Sequence, residues 1–118
     1  MRIDWLARCE TMTTASSERG GILVEYNTTE KRIHEYRIPT PYASLYSAKP
    51  DKNGEVWAGE MHTGRYLRFD PKTVGWTECE LPEPYGIDRK TWIDNSTNPV
   101  TVWYVDHEGY LVRIQPLD

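Results

Sequence analysis

Glu60 and His62 stand two residues apart in "VWAGEMHTGRYLRFDP" (Val56 to Pro71), a carboxylate and an imidazole inside an otherwise strand-like stretch. Histidine titrates near neutral pH and suits general-base work, and a carboxylate beside it can orient it or hold a cation. A second set, Asp106-His107-Glu108, lies in "VWYVDHEGYLVRIQP" (Val102 to Pro116). Tyr42, Tyr46 and Tyr85 fall in or beside Pro-Tyr connections, and Trp92 follows Arg89 and Lys90. Aromatic rings beside cations in an irregular segment form a candidate binding loop. Two readings stand side by side: an active site, or the decorated tip of a hairpin.

The elements that must position these groups repeat along the chain. "IPTPYA" (Ile38 to Ala43) returns as "LPEPYG" (Leu81 to Gly86) at an offset of 43, which also pairs Tyr26 with Phe69, Ile33 with Trp76 and Glu35 with Glu78. A third copy matches Trp57 with Trp103, Glu60 with Asp106 and Gly64 with Gly109. Self-similarity at a period in the forties marks a repeat architecture. An acid repeated between copies is expected to serve the turn it ends in, so Glu60 and Asp106 carry a structural reading beside the chemical one. His62 has no histidine counterpart and is the more specific of the pair.

Period-two alternation places Val24/Tyr26, Leu67/Phe69 and Val112/Ile114 on one face of their strands, with Glu25, Arg68 and Arg113 on the other. One unit reads as strands over Leu45–Lys49, Glu55–Glu60, Arg65–Asp70 and Trp76–Glu80. Asn53-Gly54 signals a type I′ hairpin turn, and Pro71 suits the second position of a type I turn. His34, on an outer strand, is expected at the surface, and Trp57 and Trp103 between blades.

Four antiparallel strands per unit at this period describe an all-β chain of propeller-type blades, about two and a half of them. Residues 1–20 form an N-terminal extension and 21–118 a partial propeller, with repeats near 21–43, 44–86 and 87–118. Arg2–Glu10 is either a disordered leader or the outer strand that closes the last blade. Two and a half blades leave sheet edges able to pair with other chains, so a homo-oligomer through exposed edge strands is expected. Trp92 is placed in a three-residue insertion of the third copy.

A length of 118 residues allows one domain, and with 38% hydrophobic residues but five Trp and eight Tyr its core must lean on aromatic rings. A net charge of −4 without a basic cluster argues against nucleic acid as a partner. Cys9 and Cys79 define neither a disulfide framework nor a zinc site and read as reduced thiols. The start lacks a secretory pattern and no apolar run reaches membrane-spanning length, which implies a cytoplasmic protein with no membrane partner.

At "LPEPYGID", "NGEVWAGE" and "YLRFDPKT" the chain resembles the streptogramin B lyase family over about Gly21 to Asp118. Members are seven-bladed monomers, so the resemblance implies under half a ring, and "VRIQPLD" looks like the C-terminus of such a protein. It also implies linearisation of a cyclic depsipeptide by elimination at its ester, with magnesium and a histidine base. Carried over, His62 is the base and Glu60 the carboxylate on the magnesium side, with Asp106 and His107 completing the set. Without that reaction no cofactor is implied, and the chain reads as a binding module whose Tyr42, Tyr46, Tyr85, Trp92 and Asp106 meet a small molecule, peptide or glycan.

Overall fold

The computed structural model describes residues 3–8, 21–40, 44–61, 63–81, 88–106, 109 and 111–116, with the side chains of 3–8, 46, 61, 88–90 and 106 outside that description. Among the described residues ten strands run in chain order: β1 (Ile3–Arg8), β2 (Ile22–Asn27), β3 (Arg32–Arg37), β4 (Ser44–Pro50), β5 (Val56–Met61), β6 (Arg65–Asp70), β7 (Gly75–Glu80), β8 (Asp88–Asp94), β9 (Thr101–Asp106) and β10 (Leu111–Ile114). They form three antiparallel sheets in the orders β1-β2-β3, β4-β5-β6-β7 and β8-β9-β10. The middle unit matches the sequence expectation within a residue at most strand ends. Among the described residues no helix is long and apolar enough to cross a membrane.

The repeat is visible in the registers. Tyr66 and Leu67 of β6 face Cys79 and Glu78 of β7, as Leu23 and Val24 of β2 face Tyr36 and Glu35 of β3. β4 and β8 each carry one extra residue against their partner, between Tyr46 and Lys49 and between Asp88 and Thr91, and Ser47 takes φ of 58° within the first of these bulges. A bulge re-aims the side chains on either side of it.

Ile3–Arg8 does not lie on the outer edge of the third sheet. It pairs with β2 from Ile3↔Asn27 to Arg8↔Ile22 and takes the place of strand two in the first sheet. The reason is local: β2 has a free ladder on the side that β3 leaves open, and β1 is the strand that fills it.

Alternation along each strand sends one face forward, toward the next sheet, and one backward. The forward face of the first sheet and the backward face of the second share a core of Leu23, Ile38, Leu45, Val56, Ala58, Leu67 and Phe69. Phe69 stacks tilted on Tyr36 and Trp76 at centroid distances of 4.7 and 4.4 Å. The second and third sheets share a core of Trp57, Tyr66, Val100, Val102 and Tyr104, with Tyr66 and Tyr104 stacked at 5.3 Å. Trp57 is therefore an inter-blade core residue, as its repeat position implies.

Turn chemistry differs from expectation at one point. Gly54 has φ of 84°, whereas Asn53 is not among the residues of positive φ, so the turn is not type I′. Gly54 N–H donates to Asp51 O at 3.1 Å, and Asp51 Oδ1 accepts from Asn53 N and Glu55 N at 2.8 and 3.1 Å. That is a type I turn followed by a left-handed glycine, held by an aspartate whose other oxygen accepts from Trp57 Nε1 at 2.9 Å.

Candidate functional site

Strand polarity puts the β5–β6 turn and the connections that follow β3 and β7 at one end of the sheets. Two equivalent backbone bonds tie them there: Ile38 N–H to Gly21 O at 3.1 Å and Leu81 N–H to Gly64 O at 2.9 Å. The opposite end carries the β2–β3, β4–β5, β6–β7 and β8–β9 turns.

Glu60, the penultimate residue of β5, stands at the first end and is wholly buried, on the backward face opposite Arg65 of β6. Its Oε2 accepts from Thr63 Oγ1 at 2.7 Å, and its Oε1 lies 3.0 Å from Thr40 Oγ1 in the β3–β4 connection. Thr40 Oγ1 also lies 2.5 Å from Glu78 Oε1, and Arg65 Nη1 reaches it at 3.5 Å. Arg65 in turn stands 3.6 Å from Glu78 Oε2.

A hydroxyl has one hydrogen to give, so Thr40 cannot donate fully to two carboxylates. Its single hydrogen is shared between the Glu60 and Glu78 carboxylates, and its oxygen accepts from Arg65. Burial pushes the Glu60 carboxyl above its ordinary range, and Glu78 adds to the rise; hydrogen bonds from Thr63 and Thr40 and the Arg65 charge oppose it. The result is an enclosed acid, harder to ionise than an exposed one, that joins two sheets and a turn.

The structure separates the residues singled out by sequence. Asp106 ends β9 in register with Asp88, at the place Glu60 holds opposite Leu45, and Tyr46 pairs with Gly59 one step inward. His62, His107, Tyr42 and Tyr85 lie outside the described residues. Trp92 is a strand residue of β8, paired with Trp103 and 69% exposed, two positions from the β8–β9 turn at the opposite end. The insertion falls beyond it, in the turn from Asp94 to Thr101. His34 is exposed on β3.

Sequence reasoning missed the partners of Glu60. Thr63 carried a signal, a hydroxyl three residues beyond an acid at a turn. Thr40 carried none, because its contact crosses between sheets. A polar groove of about 200 Å³ lined by Glu55, Arg68, Asp70, Thr73 and Trp76 lies toward the opposite end, with Arg68 Nε 2.7 Å from Glu55 Oε2. It is smaller than the ~300–1,000 Å³ of ordinary ligand pockets.

Stacked antiparallel sheets, each entered by its innermost strand and related by a period in the forties, define a β-propeller-type fold. Solved structures share it. A catalytically inactive virginiamycin B lyase from Staphylococcus aureus with quinupristin superposes with a TM-score of 0.64 at 18% identity, over 81% of this chain and 34% of that one. The selenomethionine-substituted virginiamycin B lyase from Staphylococcus aureus gives 0.56 at 19% identity, with the same coverage. A streptogramin B lyase structure gives 0.56 at 14% identity. The chain thus spans about a third of the length of the proteins it resembles. No family model matches the sequence, and no curated protein matches it.

Proposed function

We propose that the chain is part of a β-propeller binding module whose ligand face is the end formed by the β5–β6 and β9–β10 turns and the connections after β3 and β7. The ligand class it fits is a compact cyclic peptide or ester. One observation carries this reading: Glu60 is enclosed and bonded to Thr40 and Thr63, so it braces the rim instead of reacting at it. A braced rim lowers the cost of ordering loops around a ligand. Tyr42 and Tyr85, from the connections, and Tyr46 and Asp106, from strand ends, are the contacts proposed for it.

Titration calorimetry with quinupristin, the molecule bound in one similar structure, tests the reading. Saturable binding that weakens on Tyr42→Ala or Tyr85→Ala, with the depsipeptide recovered intact, supports a binding module. No heat across the micromolar to millimolar range overturns it for this ligand class.

The likeness to lyase structures favours a second reading, C–O bond elimination that opens a cyclic depsipeptide. His62 or His107 would then take the α-proton, and the ester oxygen would leave with the bonding pair. Glu60 does not fit the magnesium that the reaction implies, because Mg²⁺ keeps several waters and this carboxyl is wholly buried with its oxygens engaged by Thr40 and Thr63. Ring opening followed by chromatography, lost in His62→Ala or His107→Ala, would establish elimination. Intact substrate in every condition, with and without magnesium, would dismiss it.

A further inference from the structure

Four of the five most exposed large apolar side chains among the described residues stand on the terminal sheets. Ile33 (64%) is on the first; Trp92 (69%), Val105 (55%) and Leu111 (68%) are on the third. The fifth, Val74, belongs to the β6–β7 turn. The two terminal faces are of opposite kind. On the first sheet it is the backward face, with Ile33 opposite Tyr26 and Val24 beyond it. On the third it is the forward face, where Leu111 pairs with Val105 and Arg113 with Trp103.

The chain already contains the mating of these two kinds of face. Val24, Tyr26 and Ile33 occupy the repeat positions of Leu67, Phe69 and Trp76, which meet the first sheet inside the chain. Trp103, Val105 and Leu111 occupy those of Trp57, Gly59 and Tyr66, of which Trp57 and Tyr66 meet the third sheet. Tyr66 is fully buried where Leu111 is 68% exposed, so the same position is covered in one interface and open at the end. Even the cation repeats: Arg68 lies 5.5 Å from the Trp57 ring, and Arg113 is the cross-strand partner of Trp103.

We propose that a second copy of this chain covers these faces, head to tail, the forward face of each third sheet against the backward face of the other copy's first sheet. Unlike faces make a heterologous contact, which closes when the rotation allows. Two copies supply six sheets from their described residues, within the four to eight of known propellers. The assembly is a two-chain ring joined through sheet faces, and the edge strands are not its seam. It rests on packing alone and stands apart from the ligand reading above.

Sedimentation equilibrium on the full chain tests it, with Leu111→Arg and Ile33→Glu made separately. The wild type is expected at twice the 13.8 kDa chain mass and each variant at the single mass. Mixing the variants in equal amounts is expected to restore the dimer, because the mixture regains one intact forward-backward contact. A wild type that stays single throughout the micromolar range overturns the proposal. So does a dimer broken by Leu111→Arg but untouched by Ile33→Glu, which means like faces meet, or one that survives both, which means edges pair. If circular dichroism shows either variant unfolded, Val105→Arg and Val24→Glu replace them with the same expected pattern.

Discussion

Replacing Glu60 separates a neutral brace from an anionic one. In Glu60→Gln the amide N–H₂ donates to Thr40 and the carbonyl accepts from Thr63, reproducing the bonds of the protonated acid at 3.0 and 2.7 Å. At pH below the ordinary carboxyl range the variant is expected to match the wild type within about 0.5 kcal/mol. The folded carboxyl is raised above its unfolded value of 4.5, so the wild type's stabilisation is complete below that value. It is lost as pH rises through the folded value. Glutamine has no proton to lose, so the variant gains on the wild type across that window and stays ahead above it. Asp94, held below its usual range by the Ser96 hydroxyl and backbone, titrates in both proteins and cancels in the difference. Glu60→Ala leaves a buried gap and two hydroxyl contacts unmet, costing about 2–4 kcal/mol below the ordinary carboxyl range and less as pH rises through the folded value. That is a fall of roughly 8–16 °C in Tm for a chain of this size. Urea denaturation followed by tryptophan fluorescence from pH 4 to 8 reads the differences. A Gln variant that loses ground to the wild type as pH rises would refute the argument, since Glu60 would then act as an anion toward Arg65.

Three further outcomes are expected in the same assay. Val74 is a β-branched residue at φ of 55° and 57% exposed, so Val74→Gly should stabilise by about 1 kcal/mol; a loss would mean the side chain makes contacts that outweigh its backbone cost. Gly54→Ala meets no neighbouring atom but must hold φ of 84°, and should destabilise by about 1 kcal/mol; neutrality would show that the turn relaxes. Tyr66→Phe removes the bond between the tyrosine hydroxyl and Thr91 Oγ1 inside the second core, and should cost about 1–3 kcal/mol with no change in m-value. A cost below a few tenths would mean that water replaces the hydroxyl.

Strands and turns were legible because their signals are local. β6, Arg65–Asp70, appears in the alternation of Tyr66, Leu67, Arg68 and Phe69, and its start and end need no tertiary information. The turn at Gly54 was placed correctly but typed wrongly, because the dipeptide does not reveal that Asp51 supplies the acceptors that hold a type I turn. Trp92 was misplaced because the alignment offset grows by three somewhere between Lys90 and Val102, and sequence alone does not say where. Register does: Trp92 pairs with Trp103 as Lys49 pairs with Trp57, and the extra residues go to the turn. The Glu60 network was illegible in its most important member, Thr40, whose sequence separation leaves no periodic trace.

The corners of each unit explain how carboxylates can abound near a rim without making an active site. Asp51 and Asp94 both accept the backbone N–H two residues ahead, at 2.8 and 2.9 Å. Asn27 and Asp70 do the same at 3.0 and 2.9 Å, and the residues four beyond them, Lys31 and Val74, share φ near 54°. Glu60 performs the equivalent task at the remaining corner with hydroxyls in place of amides. A position that holds an acid in two units, Glu60 and Asp106, does not distinguish one of them from the other. Ligand choice therefore has to come from positions where the copies part company at the braced end. In this chain those are the residue at His62, which is glutamate or a gap in the third copy, and the residues at Thr40 and Glu83 that follow the repeated Ile38-Pro39 and Leu81-Pro82. Exchanging Thr40 for the Glu of its counterpart would put a third carboxylate beside Glu60 and Glu78, which like-charge repulsion forbids unless another proton is taken up. The copies are thus not interchangeable at this corner, and a chain carrying Thr40→Glu is expected to lose stability steeply as pH rises, in contrast to the gain of Glu60→Gln.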